Sequence, residues 1–427
     1  MTLENLHQLF LECNSVAIDT RKIKQDAMFI ALKGENFDAN SFAEQALELG
    51  AKYAIIDNKD YFIDSRTILV KNSLETLQEL AQFHRNYLKT PIIALTGSNG
   101  KTTTKELINV VLSQKYRTTA TVGNLNNHIG VPLTLLSFTK ETEIGIVEMG
   151  ANHQKEIEFL CEIAQPDFGY ITNFGKAHLE GFGGVEGVIK GKSEMYIYLR
   201  NNSKTVFVNL DDKIQIEKST GIQSKSFAIN NSIADLNIQS INANPLVSIE
   251  FDDLRINSNL IGLYNANNIN IAILIGHIFG VQNDKIKYAI ENYFPDNNRS
   301  QLLIKKTNEI ILDAYNANPS SMKVALDNFL QLNQSNKTLI IGDMFELGED
   351  SKIEHQAIVN MLFDAKNTKC LFVGKDFYGC KLIKENFEFF ENFELLSNYL
   401  KNNVLENNII LIKGSRGMAL ERVLEII

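Results

Sequence analysis

IIALTGSNGKTTTKELINVVL, residues 92–112, decides how this chain is read. An apolar run, Ile92 to Thr96, leads into Gly97-Ser98-Asn99-Gly100-Lys101-Thr102, and a helical pattern follows. Glycines let the backbone curl so that successive N–H groups face one anion, and the start of the helix adds partial positive charge. Lys101 is then placed for the β and γ phosphates of a nucleoside triphosphate such as ATP, and the Thr102 hydroxyl for Mg²⁺. The strict phosphate-loop pattern puts its first glycine at position 95, where this chain has Leu95, so the match is to a shorter G-x-x-G-K-T form. A glycine turn that merely caps a helix is the weaker reading, because strand, loop and helix are all in register.

Working outward, short apolar runs alternate with helix-length segments, the pattern of parallel sheets built from βαβ units. At roughly 100 to 200 residues per domain, 427 residues predict more than one core. Three blocks separate, giving an α/β fold of three domains. The first, residues 1–88, is a small α/β domain with strands expected at 27–32, 53–57 and 67–70. Thr90-Pro91 breaks the helix that ends it. The second, 89–296, is a mostly parallel phosphate-loop sheet with strands at 92–96, 144–148, 169–172 and 205–209. Within it, alternating runs between 236 and 257 predict an antiparallel hairpin added to that sheet. The third, 297–427, resumes alternation with EIILD, TLIIGD, CLFVG and NIILIK, and reads as a second, Rossmann-like nucleotide-binding sheet.

Composition excludes several function classes. Acidic residues outnumber basic ones, 51 to 42, for a net charge of −9, which argues against nonspecific binding to nucleic acid or anionic membrane. No apolar run approaches the length of a membrane span, and MTLENLHQLF lacks a signal-peptide layout. The cytoplasm is the expected compartment. Cys13, Cys161, Cys370 and Cys380 are scattered and read as reduced thiols. His7 and His84 have no setting that calls for a function.

A phosphate loop needs a metal, held by groups at strand ends on the same sheet edge. Glu148 ends IGIVE and His178 follows the strand GYITNFG. Magnesium prefers oxygen, which favours Glu148. His178 reads equally well as a loop histidine satisfied by backbone groups, and Lys192, in VEGVIKGKSEMYIYL, reads on composition as a solvated helix lysine.

Taken together, TGSNGKTTTKE, GNLNNHIGVPLTLL (123–136), EMGANHQKEI (148–157), NFGKAHLEGFGG (173–184), KSE (192–194), FPDNNRSQ with Arg299, and DAYNANPSSM (313–322) resemble the Mur ligases over essentially the whole chain. YNANP followed by SM is similar to the MurF branch, whose members join D-alanyl-D-alanine to UDP-N-acetylmuramoyl tripeptide. The resemblance implies an ATP-dependent, ADP-forming amide ligase of peptidoglycan precursor synthesis that works through an acyl phosphate. It implies that Gly97, Ser98, Asn99, Gly100, Lys101 and Thr102 hold the nucleotide, with Asn268 and Asn316 near the adenine and Arg299 and Asp313 at phosphate and ribose. Thr102, Glu148 and His178 would hold metal, joined by Lys192 as a carbamate, since a carbamate offers a hard cation oxygens where an ammonium would repel it. Lys101, Lys192 and His178 would be the catalytic residues. IDTRKIKQDAMFIALKGENFDANSF (18–42) resembles the family's UDP-binding domain, which puts Asp19, Thr20 and Arg21 near the uridine. Asn124, Asn126 and Asn127 would face the muramoyl side, and GDMFELG (342–348) and KGSRGM (413–418) the dipeptide or the closing cleft. A monomer without membrane insertion or nucleic-acid partner is implied. Leu312 stands where the branch often has a second Asp, and the chain is short for the family. Two other readings compete: another Mur-type or folylpolyglutamate-type ligase, and a nucleotide-sensing binding protein that moves by domain closure.

Overall fold

The computed structural model describes residues 1–296 and 298–427; Asn297, where the sequence reading starts the third domain, lies outside the described residues. The fold is α/β in three domains, each built on its own parallel or mostly parallel sheet.

The N-terminal sheet has four parallel strands in the order Ser15–Ala17, Ala27–Ile30, Ala51–Ile56, Thr67–Leu69. The helix Ser73–Leu88 closes this domain. Asn72 caps its first turn by accepting from the N–H groups of Leu74 and Glu75, and Lys89 ends it in the left-handed conformation. Its Arg85 reaches the central domain, pairing with Asp167 at 2.8 Å.

Here His7 and His84 acquire a setting that their sequence neighbours do not reveal. His84 Nε2 donates to the Phe138 carbonyl at 2.9 Å, so its Nδ1 accepts from His7 Nε2 at 3.0 Å. His7 Nδ1 is left buried without a partner among the described residues, and the rings of Phe10, Phe83 and Tyr87 surround the pair. Burial, helped by the neighbouring His84, pushes His7 down to about 4 from 6.5, and burial also lowers His84. Groups held neutral in the fold bind more protons when unfolded, so the stability they contribute is full above 6.5 and is lost as pH falls toward 4. The urea midpoint is expected to drop between about pH 7 and about pH 5, and to drop less in His7→Leu. Parallel pH profiles of the two proteins would contradict this.

The central sheet has seven parallel strands in the order Leu236–Ile238, Gln223–Ile229, Thr205–Asn209, Phe168–Ile171, Ile92–Thr96, Ile144–Glu148, Thr118–Ala120. Ile92–Thr96 is buried along its whole length, as a strand covered on both faces must be. Helix Lys101–Leu112 and helix Ala266–Ile278 pack together on one face. The second of these buries Ile269, Ile271, Ala272, Ile273, Leu274 and Ile275 all round its axis, the mark of an interior helix. Only the start of the alternating segment, Leu236–Ile238, extends this sheet, and it does so as a parallel edge strand rather than as an antiparallel hairpin. Ser240–Ala243, Leu246–Phe251 and Leu254–Ile261 form a separate three-stranded antiparallel sheet. Its apolar side, with Val247, Ile249, Phe251, Ile256 and Leu260, shares a core with the helix Ala266–Ile278. The segment lies as an outer layer because that helix presents an apolar surface on every side and needs a second cover.

The C-terminal sheet runs Gln301–Lys305, Asn308–Asp313, Ile409–Lys413, Lys337–Gly342, Thr368–Val373, Phe387–Phe390, and only the first strand is antiparallel. Loops carrying DAYNANP, GDMFELG and KGSRGM leave the carboxyl ends of three of these strands, toward the corresponding edge of the central sheet.

Candidate active site between two sheet edges

Strand order reverses at Ile92–Thr96. The next strands in sequence lie on one side of it, and Phe168–Ile171 with its successors on the other. A reversal of this kind opens a crevice at the carboxyl ends of the strands, and a cleft of about 870 Å³ lies there. Its walls come from the central and C-terminal domains, beginning at Ser98.

Gly97, at φ 142°, passes so close to the next strand that a Cβ would sit 2.0 Å from Thr172 Oγ1. That proximity lets the Phe168–Ile171 strand end brace the loop. Thr172 Oγ1 and Asn173 Nδ2 donate to the Asn99 carbonyl at 2.6 and 3.0 Å. Asn99 N–H donates to Asn173 Oδ1 at 3.2 Å, and Ser98 Oγ to the Gly175 carbonyl at 2.6 Å. Gly97→Ala is therefore expected to destabilise the protein by more than about 3 kcal/mol, strain and overlap acting together, in urea unfolding. A wild-type midpoint would refute it.

The helix that follows begins at Gly100 in left-handed conformation with no side-chain cap, whereas Asn72, Asp212, Asn318 and Asn392 each cap theirs. Uncapped N–H groups at a helix start are an anion site when other positive charge joins them. Lys101 supplies it. Its ammonium donates to the Gly97 carbonyl at 2.7 Å and more distantly to Ser98, with no carboxylate partner among the described residues. Burial pushes it down to about 8; Glu148 opposes that shift and Arg299 adds to it. Thr102 is buried beside it.

Across the loop, Glu148 ends its strand fully buried. Its Oε1 accepts from Asn126 Nδ2 at 2.8 Å, while Oε2 has no partner among the described residues. An orphaned carboxylate oxygen costs free energy unless a cation or water completes it, so the donor set fits a hard divalent ion. Lys192 is also buried, donating to the Ala151 carbonyl at 3.1 Å with its ammonium 4.9 Å from the Phe182 ring centre. Burial, and then the charge of Lys101, hold its amine far below the ordinary lysine range. The reading of Lys192 as a solvated lysine is thus corrected. Its neighbour Glu194 accepts from the N–H groups of Lys155 and Glu158 and so anchors the facing helix.

His178 is not satisfied by backbone: its Nδ1 bonds Glu346, from the C-terminal domain, and the partnership holds the Glu346 carboxyl below its usual range. More bonds join the two domains here. Asn318 Nδ2 donates to Asn99 Oδ1 at 2.7 Å, and Lys176 pairs with Glu354 at 2.5 Å. From the same side, the Arg299 guanidinium lies 3.7 Å over the Tyr315 ring, with its Nε buried and unpartnered among the described residues. Asp313 accepts from Ser300 N–H and from Lys413, at 3.1 and 2.6 Å. Asn316 stands exposed in the wall.

Other expected residues sit differently. The Asn268 amide is taken up within the protein, accepting from Thr104 Oγ1 at 3.0 Å and donating to Asn265 at 2.8 Å; it backs Gly100, whose Cβ would meet it at 2.7 Å. Asn124 and Asn127 line the cleft, but Asn127 Oδ1 accepts from Ile129 and Gly130 N–H, closing a turn. Asp19, Thr20 and Arg21 follow a strand end of the N-terminal sheet, outside this cleft, and Asp19 pairs with Arg21 at 2.7 Å. The sequence reading missed Asn209, Asp212, Tyr264 and Tyr315 in the wall; Asn209, last residue of its strand, was discoverable by the strand-end rule. Asp343, His355 and Asp376 also cluster, but both His355 ring nitrogens and both Asp343 oxygens are engaged by neighbouring groups.

Three family models match the chain: Mur ligase family, catalytic domain, over residues 12–85; Mur ligase middle domain, over 95–276; and Mur ligase, glutamate ligase domain, over 298–416. The UDP-N-acetylmuramoyl-tripeptide--D-alanyl-D-alanine ligase of Bacillus subtilis is 33% identical, the alignment covering 96% of this chain and 92% of that protein. A crystal structure of MurF from Acinetobacter baumannii superposes with a TM-score of 0.85 at 30% identity, covering 99% of this chain and 97% of the other. That of MurF ligase from Thermotoga maritima in complex with ADP gives 0.84 at 26%, covering 98% and 97%.

Proposed function

Because the chain belongs to the Mur ligase family, on its MurF branch, we propose for its cleft the following division of labour. The enzyme is an ATP-dependent, ADP-forming ligase of peptidoglycan precursor synthesis that joins D-alanyl-D-alanine to a UDP-N-acetylmuramoyl tripeptide. The tripeptide's terminal carboxylate attacks the γ-phosphorus of ATP and ADP leaves; the dipeptide amine then attacks the acyl phosphate carbonyl and inorganic phosphate leaves. Phosphoryl transfer of this kind asks the protein for positioning and charge neutralisation more than for a nucleophile. The observation that carries the reading is the braced loop whose uncapped helix start faces the cleft beside a half-buried lysine that, among the described residues, has no carboxylate partner.

In this scheme, Gly97 to Thr102 wrap the phosphates, with Lys101 at the transferred group. Arg299, free at Nε and stacked on Tyr315, adds a second cation, and Asp313, steadied by Lys413, meets the ribose. Asn316 borders the base, and Asn268 acts from behind by fixing Gly100. Thr102, Glu148, His178 and a carbamylated Lys192 would hold Mg²⁺, which when bound neutralises the developing phosphate charge. Asn124 and Asn126 face the muramoyl end, and Asp19, Thr20 and Arg21 take the uridine at the N-terminal sheet edge. Among the described residues no helix is long and apolar enough to cross a membrane, and the proposed setting is a cytoplasmic monomer.

Purified protein with ATP, Mg²⁺, D-alanyl-D-alanine and UDP-muramoyl tripeptides differing at the third residue tests the reading. ADP release that requires both carboxylate and amine, with a product of the ligated mass, is expected. Nucleotide binding without that double dependence would favour the binding-protein reading; ligation of a different amine would favour another ligase.

A further inference from the structure

The loop Asp343–Gly348 and the short helix Leu179–Phe182 lie against each other across the domain boundary: a Cβ on Gly348 would come 3.3 Å from the Glu180 side chain. His178 and Glu346 both take left-handed backbone, at φ 52° and 62°, a conformation that costs free energy in residues other than glycine and persists where contacts enforce it. Their side chains supply one such contact, His178 Nδ1 to Glu346 Oε2. A carboxylate only accepts, so Nδ1 carries a proton, and in the neutral ring that leaves the Nε2 lone pair for a metal. Both residues line the cleft that also holds Glu148. As a source of stability the pair is minor, since Glu346 is 55% exposed and exposed pairs contribute about 0–1 kcal/mol. Orientation of the ring is the larger effect, because a carboxylate behind a metal-binding imidazole fixes tautomer and direction.

We propose that Glu346 is a positioning residue that readies His178 for a divalent cation, and that it thereby couples metal affinity in the central domain to the arrival of the C-terminal domain. The coupling is reciprocal: metal bound on His178 favours the joined arrangement by the same factor. This rests on the reading of His178 as a metal-holding residue.

Calorimetric titration of Mn²⁺ into the full-length protein with a non-hydrolysable ATP analogue tests it, thermal unfolding verifying that each variant folds. Glu346→Ala is expected to weaken Mn²⁺ binding roughly 10- to 100-fold. Glu346→Gln, whose amide oxygen still accepts, should recover part of that loss. Adding Glu346→Ala to His178→Ala should cost nothing further. Glu354→Ala, which cuts the neighbouring Lys176 ion pair without touching His178, should leave Mn²⁺ affinity unchanged. If His178→Ala weakens binding and Glu346→Ala does not, the positioning role alone is overturned. If His178→Ala has no effect, the metal reading beneath it falls too. If Glu354→Ala matches Glu346→Ala, Glu346 is a clasp between domains and the proposal fails.

Discussion

Lys101→Ala is expected to lower kcat by about three orders of magnitude or more while leaving the melting temperature close to that of the wild type. The two halves of this expectation have separate causes. Catalysis loses the cation aimed at the transferred phosphoryl group, in a walled cleft where charge interactions are weakly screened. Arg299 cannot substitute, because it is held flat against Tyr315. Stability, by contrast, loses little. Among the described residues the Lys101 ammonium bonds carbonyls alone, at Gly97 and Ser98, and desolvation of its charge is itself unfavourable and pushes its pKa down to about 8. Lys101→Arg should remain far below wild type, since a planar fork does not fit a pocket shaped for one compact charge. Steady-state ADP release beside a thermal melt checks both halves. Full turnover by a folded Lys101→Ala protein would remove the basis of the proposed mechanism.

Lys192→Ala is the second large effect, an expected loss of about 100-fold or more in kcat. The physical case starts from burial. A buried lysine beside the Phe182 ring, near the positive Lys101, is pushed toward its neutral amine, the form that adds CO₂. The carbamate so formed would change the local charge by about one unit toward negative, behind the cleft wall at Ala151 and near Lys101. Native mass measurement should find the protein heavier by one CO₂, and bicarbonate removal should lower activity reversibly. The alanine variant should respond to neither. A Lys192→Ala enzyme with wild-type rates, unaffected by bicarbonate, would refute the assignment.

How much of this was legible beforehand depends on where the cause of each feature lies. The loop at residues 97–102 was readable because its signal is contiguous: apolar strand, glycine turn, Lys-Thr and helix follow one another within residues 92–112. The parallel strands were readable from their unbroken apolar runs. The outer three-stranded sheet was misassigned because alternation reports that one face is covered, not by what. Lys192 looked solvated by composition, yet its spacing from Val188, Met195 and Tyr196 puts it on the buried face of the helix Val185–Asn201. That helical phase was the signal, and it was available. His178 was different: its partner, Glu346, is 168 residues away, so the local sequence could not show the side-chain contact that stands where backbone partners were the alternative. Asn268 shows the same limit, since its amide is taken up by Thr104, a tertiary neighbour.

The helix Ala266–Ile278, enclosed between the central sheet and the outer antiparallel layer, sets the order in which the molecule opens. Amides with no solvent-facing side exchange with heavy water only when a whole cooperative unit unfolds. Its central N–H groups should therefore be among the slowest to take up deuterium. Because Asn268 on this helix backs Gly100, the nucleotide's floor should stay shut to exchange while hinges and rims flicker.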